Sequence, residues 1–418
     1  MNNYLEIATK SWYNNYFNFI KENIYRLNFT NLSSNPNIIF NNIMYTIDDP
    51  DINIRVMDGK GPSFYPRFKW DWRNLSLNKY ITFDNIMDTI DDVRFQWDRF
   101  YVSFNRNITF NNIKDKIDDS RFDWDWRNLS GNKNITFVNI LDTIDDPRFQ
   151  WDFYYISDNP NITFDNILDT IDDPRFQWDF RKLSANPNIT FDNIIDTIDD
   201  NRFEWDWIYL SIHKNITFDN VMNTIDDERF KWVWYFVMQN PNITFNNIKD
   251  TINDKRFKWD CDVVSRNTNI TFNNIRDTIN DKRFKWNWKD LSENPNIPFK
   301  NIMDTIDDPK FKWDFEYLSN NKNITFDNIK DTISIFQWNW VQLSKNSNIT
   351  FDNIRDTIND PRFQWDWRAL SENPMTKGRE KYISNMTNLI IKFKSTNIFP
   401  SVIEDIIINY LSNNHIRL

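Results

Sequence analysis

Apolar residues recur along this chain on two nested scales. Within the stretch 161–187, NITFDNILDTIDDPRFQWDFRKLSANP, the residues Phe164, Ile167, Leu168 and Ile171 follow the i, i+3, i+4, i+7 spacing of one buried helical face. Across such stretches a tryptophan returns every 27 residues, at Trp70, Trp97, Trp124, Trp151, Trp178, Trp205, Trp232, Trp259, Trp286 and Trp313. After a step of 25 it returns at Trp338, then 27 later at Trp365. A fixed period of this size predicts a repeat array, in which each unit buries its apolar face against its neighbours.

Each unit carries two helix-start signals. In the first, Thr163 is the N-cap, Ile162 and Ile167 form a hydrophobic staple, and Asp165 lies in the first turn where the helix dipole favours negative charge. In the second, Asp179 is the cap with Trp178 and Leu183 as staple, while Asp173-Pro174 offers a rival start for the same helix. Asn186-Pro187 closes the unit, because the residue before proline avoids helical dihedrals. Helices of eight to ten residues are expected. These are shorter than the roughly 12–15 residues an isolated helix needs in water, so stacking must stabilise them. That requirement accounts for an aromatic content of 17%, since each aromatic side chain buries roughly 150–250 Å².

The first-helix cap can be followed through Ile39, Thr82, Thr109, Thr136, Thr163, Thr190, Thr217, Thr244, Thr271, Pro298, Thr325 and Thr350. The expected fold is all-α: a right-handed α-solenoid of about 12 two-helix repeats of 27 residues over 37–374. Ile39 and Pro298 cannot cap through a hydroxyl, so those helices must begin differently. The long step after Ile39 places a loop insertion at 51–66, holding Gly59, Gly61 and Pro62. Ser334-Ile335 shortens the turn before Trp338. Residues 1–36 are read as an N-terminal cap, Tyr4–Tyr25, plus a half-unit in which Leu27-Asn28-Phe29-Thr30-Asn31-Leu32-Ser33 repeats the second-helix signal. Residues 375–418 lack the tryptophan and predict two capping helices, about 377–394 and 401–411. Stacked pairs at axis spacings of 8–10 Å would make an elongated, curved domain on the order of 100 Å long or more.

Composition narrows the chemistry. The 418 residues carry a net charge of −10, which argues against general nucleic-acid binding. Only 4 glycines are present, too few for phosphate-binding loops, and the sole cluster, Gly59-Lys60-Gly61-Pro62, reads as a surface loop. With one cysteine, Cys261, and two histidines, His213 and His415, neither an intramolecular disulfide nor a Cys/His zinc site is expected. Cys261 reads as a small core filler, with a reactive thiol as the alternative. No apolar run of membrane-spanning length and no signal peptide occur, so an intracellular chain, in host cytoplasm or virion, is expected. No enzyme activity, no cofactor, no metal, no small-molecule substrate and no membrane association are expected, and a monomer is.

Two recurring motifs look chemical and have plainer readings. Asp-Thr-Ile-Asp-Asp, as at Asp169, Asp172 and Asp173, could stack into an acid ladder. Calcium, however, wants 6–8 oxygens in a shaped loop, and Asn253, Asn280 and Asn359 break the series, which favours capping and solubility. Asn161-Ile162-Thr163 matches a glycosylation sequon, but the cap explains the threonine.

The variable positions carry more. Two residues after the second cap drift between units: Tyr154-Tyr155, Arg181-Lys182, Ile208-Tyr209, Tyr235-Phe236, Asp262-Val263 and Glu316-Tyr317 among them. Tyrosine, phenylalanine and arginine are the residues of binding hot spots, so Tyr154, Tyr155, Ile208, Tyr209, Tyr235, Phe236, Glu316 and Tyr317 are the candidate partner-binding residues. Packing on the neighbouring unit is the competing reading. A second variable column, Leu141, Leu168, Ile195 and Met222 in the middle and Lys249 and Arg276 beyond, turns from apolar to basic. The turns Lys255-Arg256 and Lys282-Arg283 extend it into a basic strip, against which a solvated mixed face is the plainer reading.

Asn159-Pro160-Asn161-Ile162-Thr163 and Trp365-Asp366-Trp367-Arg368-Ala369-Leu370-Ser371-Glu372-Asn373-Pro374 resemble the repeats of proteins from mimivirus-like giant DNA viruses, over about residues 27–374. The resemblance implies an AT-rich viral genome and a helical repeat, and brings no assigned activity. Phe399-Pro400-Ser401 through Leu411 resembles the opening helix of an F-box, with Phe before the proline as a departure and no further F-box helices. That resemblance implies a hook for a host ubiquitin ligase, and a plain capping helix is the competing reading. The expected function is thus a non-enzymatic scaffold for a protein partner, with a ligase substrate adaptor and a structural virion component as alternatives.

Overall fold

The computed structural model describes residues 2–48, 55–58, 61–64 and 68–395. The F-box-like stretch 399–411 and His415 lie outside the described residues, as do parts of the insertion. Short helices make up the chain, with one hairpin among the described residues: Arg55–Asp58 pairs antiparallel with Gly61–Phe64 inside the expected loop. No described helix is long and apolar enough to cross a membrane. Contacts divide the chain into two compact units, 99–321 and 1–98 with 322–418.

Helices of two kinds alternate. The first kind, such as Phe164–Thr170, starts at a threonine whose hydroxyl accepts the N–H of an asparagine three residues on, while that asparagine's side chain accepts the threonine N–H. Both halves of this box occur at Thr82, Thr109, Thr136, Thr163, Thr190, Thr217, Thr244, Thr271, Thr325 and Thr350. Where threonine is missing the box loses one half, or both at Pro298, which has no N–H to donate. Pro298 makes no side-chain cap, and at Ile39 only the N–H to Asn42 Oδ1 bond remains. The second kind settles the rival starts: Asp179 caps Phe180–Leu183, while Asp173-Pro174 forms a turn. Helices of both kinds run shorter than expected, down to four residues in Phe153–Ile156 and Phe180–Leu183.

Helices this short hold because polar side chains tie each repeat to the one before. In the unit 99–321, the N–H of Asp152, Asp179 and Asp206 donates to Ser130, Ser157 and Ser184 Oγ, each 22 residues back, at 2.8–2.9 Å. A fully buried asparagine adds the second tie. Asn186 Nδ2 donates to the Ser157 and Asn159 carbonyls at 2.9 and 3.1 Å, while its Oδ1 accepts the Asn188 N–H. Asn159 repeats this toward Ser130 and Asn132, and Asn321 toward Ser292 and Asn294. Asn-Pro was expected to end the helix through its proline, but helix Phe180–Leu183 ends before Asn186, and the asparagine is the structural element. The core beneath is aromatic: Trp178 donates its indole N–H to Thr170 Oγ1 at 3.2 Å, and the Phe176 and Trp178 rings stack at 6.0 Å.

In the other unit the same ties join the two ends of the repeat array. Asn373 Nδ2 reaches the Ser344 and Asn346 carbonyls. Asn35 Nδ2 then reaches the Ser371 and Asn373 carbonyls at 2.9 and 3.0 Å, and the Asn28 N–H donates to Ser371 Oγ at 2.8 Å. Asn78 Nδ2 in turn reaches Ser33 and Asn35. The half-unit Phe29–Ser34 therefore stacks on Trp367–Glu372 as any repeat stacks on its predecessor. The terminal helices, assigned from sequence to opposite ends of an elongated array, lie side by side instead. Ala8 of Asn2–Glu22 packs on Met386 and Ile390 of Thr376–Ser395, and Trp12 packs on Phe351 and Tyr382. Gly378 lies where a Cβ would come within 2.5 Å of Thr350 Cγ2, so the crossing of the terminal helix over Thr350 needs glycine. The shortened turn at Ser334-Ile335 has a cost. It removes the Trp-to-Thr spacing of eight, and the buried Trp338 indole N–H has no hydrogen-bond partner.

Asn186→Ala leaves the Ser157 carbonyl and the Asn188 N–H without the side-chain partner, each worth about 1–3 kcal/mol when buried, while the Asn159 carbonyl keeps the Ile162 N–H. A drop in thermal midpoint well beyond that of the exposed control Gln177→Ala is expected from calorimetry. Equal midpoints would remove the asparagine from its role.

Candidate functional site

The variable column of the second helices lies in the unit 99–321. Each second helix of this column begins at an N-cap and buries its fourth residue, as with Ile156, Leu210, Val237 and Leu318. The two variable residues between fall on the outer side, and they divide by position. The first of each pair is exposed: Tyr154 at 41%, Ile208 at 46% and Tyr235 at 44%, with Glu316 alike. The second of each pair, Tyr155, Tyr209, Phe236 and Tyr317, is half-buried. The second position of the pair thus packs on its surroundings, while the first is left open to solvent.

Cations from neighbouring repeats lean on these rings. Lys182 Nζ sits 4.8 Å from the Tyr154 ring centroid and 3.4 Å from Asp158, while Arg181 lies 5.5 Å from Tyr209. One repeat's basic pair thus touches the aromatic residue on either side of it. Arg266 donates to the Tyr235 hydroxyl at 2.9 Å and pairs with Asp290 at 3.1 Å, and Lys289 lies over Tyr317. Tyr154 and Tyr155 meet edge to face at 5.1 Å, as do Tyr235 and Phe236 at 5.2 Å. Tyr154 also borders a groove of about 440 Å³ between the extended segments at Gln150–Asp152 and Gln177–Asp179.

The acid ladder is neutralised from within. Arg175 holds Asp173 through Nε and Nη2 and reaches Asp145 of the preceding repeat at 2.8 Å. Arg202, Arg229 and Arg256 repeat this with Asp172, Asp199 and Asp226. The arginine's side-chain hydrogen bonds, aided by its backbone N–H, hold Asp173, Asp200, Asp227 and Asp254 below the usual carboxylate range. Asn253 ends the cross-repeat series, and Arg283 keeps only Asp281. In the basic strip Arg256 and Arg283 are held by acids and Arg276 pairs with Asp277 at 3.2 Å, while Lys249, Lys255 and Lys282 are exposed. In the apolar part of that column Leu141, Leu168 and Ile195 are exposed.

Single departures from the repeat carry the remaining chemistry. The Cys261 thiol is buried and donates to the Arg283 carbonyl at 3.3 Å, and burial pushes its pKa up, away from thiolate chemistry. The sequon nitrogen of Asn161 donates to the Lys133 and Ile135 carbonyls, so it too serves stacking. His213 occupies the buried asparagine position. Its Nδ1 accepts the Asn215 N–H at 3.1 Å, so Nε2 carries the proton and donates to the Asn186 carbonyl at 3.0 Å. Sequence reasoning passed over this column because the proline that often follows the asparagine explained the helix end. The persistence of asparagine without proline, as at Asn132-Lys133 and Asn267-Thr268, is the available signal.

Comparison of the chain with protein-family models, with curated proteins and with solved structures finds no match.

Burial lowers the pKa of His213, opposed by its bond to the Asn186 carbonyl and aided by Lys214. The folded chain therefore binds this proton less readily than the unfolded chain, and stability falls as pH drops below the unfolded value of about 6.5. Above that pH the residue contributes no slope. His213→Asn should flatten the thermal midpoint between about pH 6.5 and 5 relative to wild type. Parallel curves would show that His213 binds its proton equally well in the folded and unfolded states.

Proposed function

We propose that this chain is a non-enzymatic scaffold that binds a protein partner through the exposed residues Tyr154, Ile208 and Tyr235. On this reading the array is a right-handed α-solenoid of about 12 two-helix repeats. The motif resemblance given above supports a giant-virus origin and a host protein as partner. The observation that carries the proposal is the contrast between frame and column. Serines, asparagines, threonines and most turn aspartates are engaged in bonds within or between repeats. Large side chains nevertheless stay open to solvent at the first position of each variable pair, where Lys182 lies over the Tyr154 ring and Arg266 bonds the Tyr235 hydroxyl before a partner arrives. Rigid aromatic anchors lose little side-chain freedom on binding, which favours affinity.

The test separates binding from folding. Tyr154→Ala, Ile208→Ala and Tyr235→Ala together remove exposed surface and leave the half-buried Tyr155, Tyr209 and Phe236 in place. Affinity capture from host-cell lysate with wild type identifies the partner. The triple variant should lose it at least tenfold while its helical circular dichroism is unchanged. Undiminished capture would place the binding surface elsewhere.

A further inference from the structure

We propose that the cavity between the two terminal helices is a binding site for a small amphipathic carboxylate. It lies within the unit formed by 1–98 and 322–418 and holds about 530 Å³, a size typical of small-molecule pockets, which run from ~300 to 1,000 Å³. The expectation that the chain takes no cofactor or substrate rested on glycine loops and metal ligands. This cavity uses neither.

Arg379 supplies the charge. It is half-buried and, among the described residues, no carboxylate makes an ion pair with it. Its side chain reaches Asn37 Oδ1 at 3.5 Å and interacts with the Tyr13 and Tyr80 hydroxyls, which are neutral partners. A guanidinium has five donors in a planar fork, and a half-buried cation without a counter-charge is costly. A carboxylate matches that fork with two parallel hydrogen bonds. Thr387 also lines the cavity, and its buried Oγ1 has no hydrogen-bond partner.

The walls define the rest of the ligand. Leu5, exposed at 52%, Ile383 and the rings of Tyr13 and Tyr80, 6.1 Å apart, form an apolar surface beside the charge. Glu380 is the single acid in the lining and is exposed, so it repels a second negative charge at the mouth. One cation inside and one anion outside select a monoanion over a phosphate dianion. Burial, with the Tyr80 hydrogen bond, raises the Tyr13 pKa, while at Tyr80 burial is outweighed by the Tyr13 hydrogen bond and the Arg379 charge, which lower it.

Isothermal titration of the full chain with octanoate, and with octanamide as the uncharged match, tests the site. Octanoate should bind at least tenfold tighter than octanamide. Arg379→Met should weaken octanoate at least tenfold, Leu5→Asn should weaken it as well, and Glu380→Gln should tighten it. If Arg379→Met loosens the packing of the terminal helices, the octanoate-to-octanamide ratio on wild type and the exposed Leu5→Asn still decide. Absence of octanoate binding at millimolar concentration, equal affinity for acid and amide, or wild-type affinity in a folded Arg379→Met would overturn the proposal.

Discussion

A buried primary amide must find partners for two donors and an oxygen, and the architecture follows from how Asn186 and its counterparts find them. Each amide reaches the main chain of the preceding repeat and also closes a turn on its own, through the N–H two residues on. A repeat that slipped along its neighbour would leave both amide donors unpaired in the interior, at a cost of several kcal/mol. The asparagine thus fixes register, a task that hydrophobic contacts, being non-directional, perform poorly. The serine hydroxyl does the same for the next helix. It accepts the N–H of the N-cap residue 22 positions on and donates to its own helix's backbone, as Ser157 does to the Phe153 carbonyl.

Register set this way allows the helices to be very short. A four-residue helix such as Phe180–Leu183 has one turn and almost no cooperativity of its own. It persists because Asp179 caps its start, Ser157 holds the cap residue, and the Phe180 ring meets Phe203 and Trp205 edge to face. The aromatic residues supply the buried area and the amides supply the alignment. The same alignment acts where Asn35 meets Ser371 and Asn373, so the chain's first repeat can be laid on its last without any special joint.

Much of this was readable in advance, for a physical reason. Caps and staples are local, so Thr163 and Ile167, or Asp179 and Leu183, announce themselves within six residues. Trp178 also announced the period. Its partner Thr170 did not, because it stands in an Asp-Thr-Ile-Asp-Asp run that draws attention to charge, and only the constant spacing of eight marks the pair. The joining of the two ends left a single trace, the half-unit at Leu27–Ser33 with no first helix before it. A local pattern cannot say which repeat such a fragment will stack upon. The variable column was legible as a column. Its division into exposed Tyr154 and Tyr235 and half-buried Tyr155 and Phe236 was not, since that depends on the rotation of each short helix against its neighbour.

Four departures from the frame gather in one neighbourhood. His213 stands for asparagine, Val233 for the aspartate cap, Met238 for serine and Cys261 for the aromatic residue after the cap. Helix Trp234–Val237 accordingly has no side-chain cap, and the Asp260 N–H meets the Met238 thioether, a weak acceptor, where its counterparts meet a hydroxyl. Tyr235 and Phe236 lie on this same helix. These weak ties lie beneath the aromatic pair Tyr235-Phe236 of the outer column. Local rules tend to fail where a sequence serves something besides its own stability. The departures around Tyr235 thus coincide with its exposure, on a helix that has no side-chain cap.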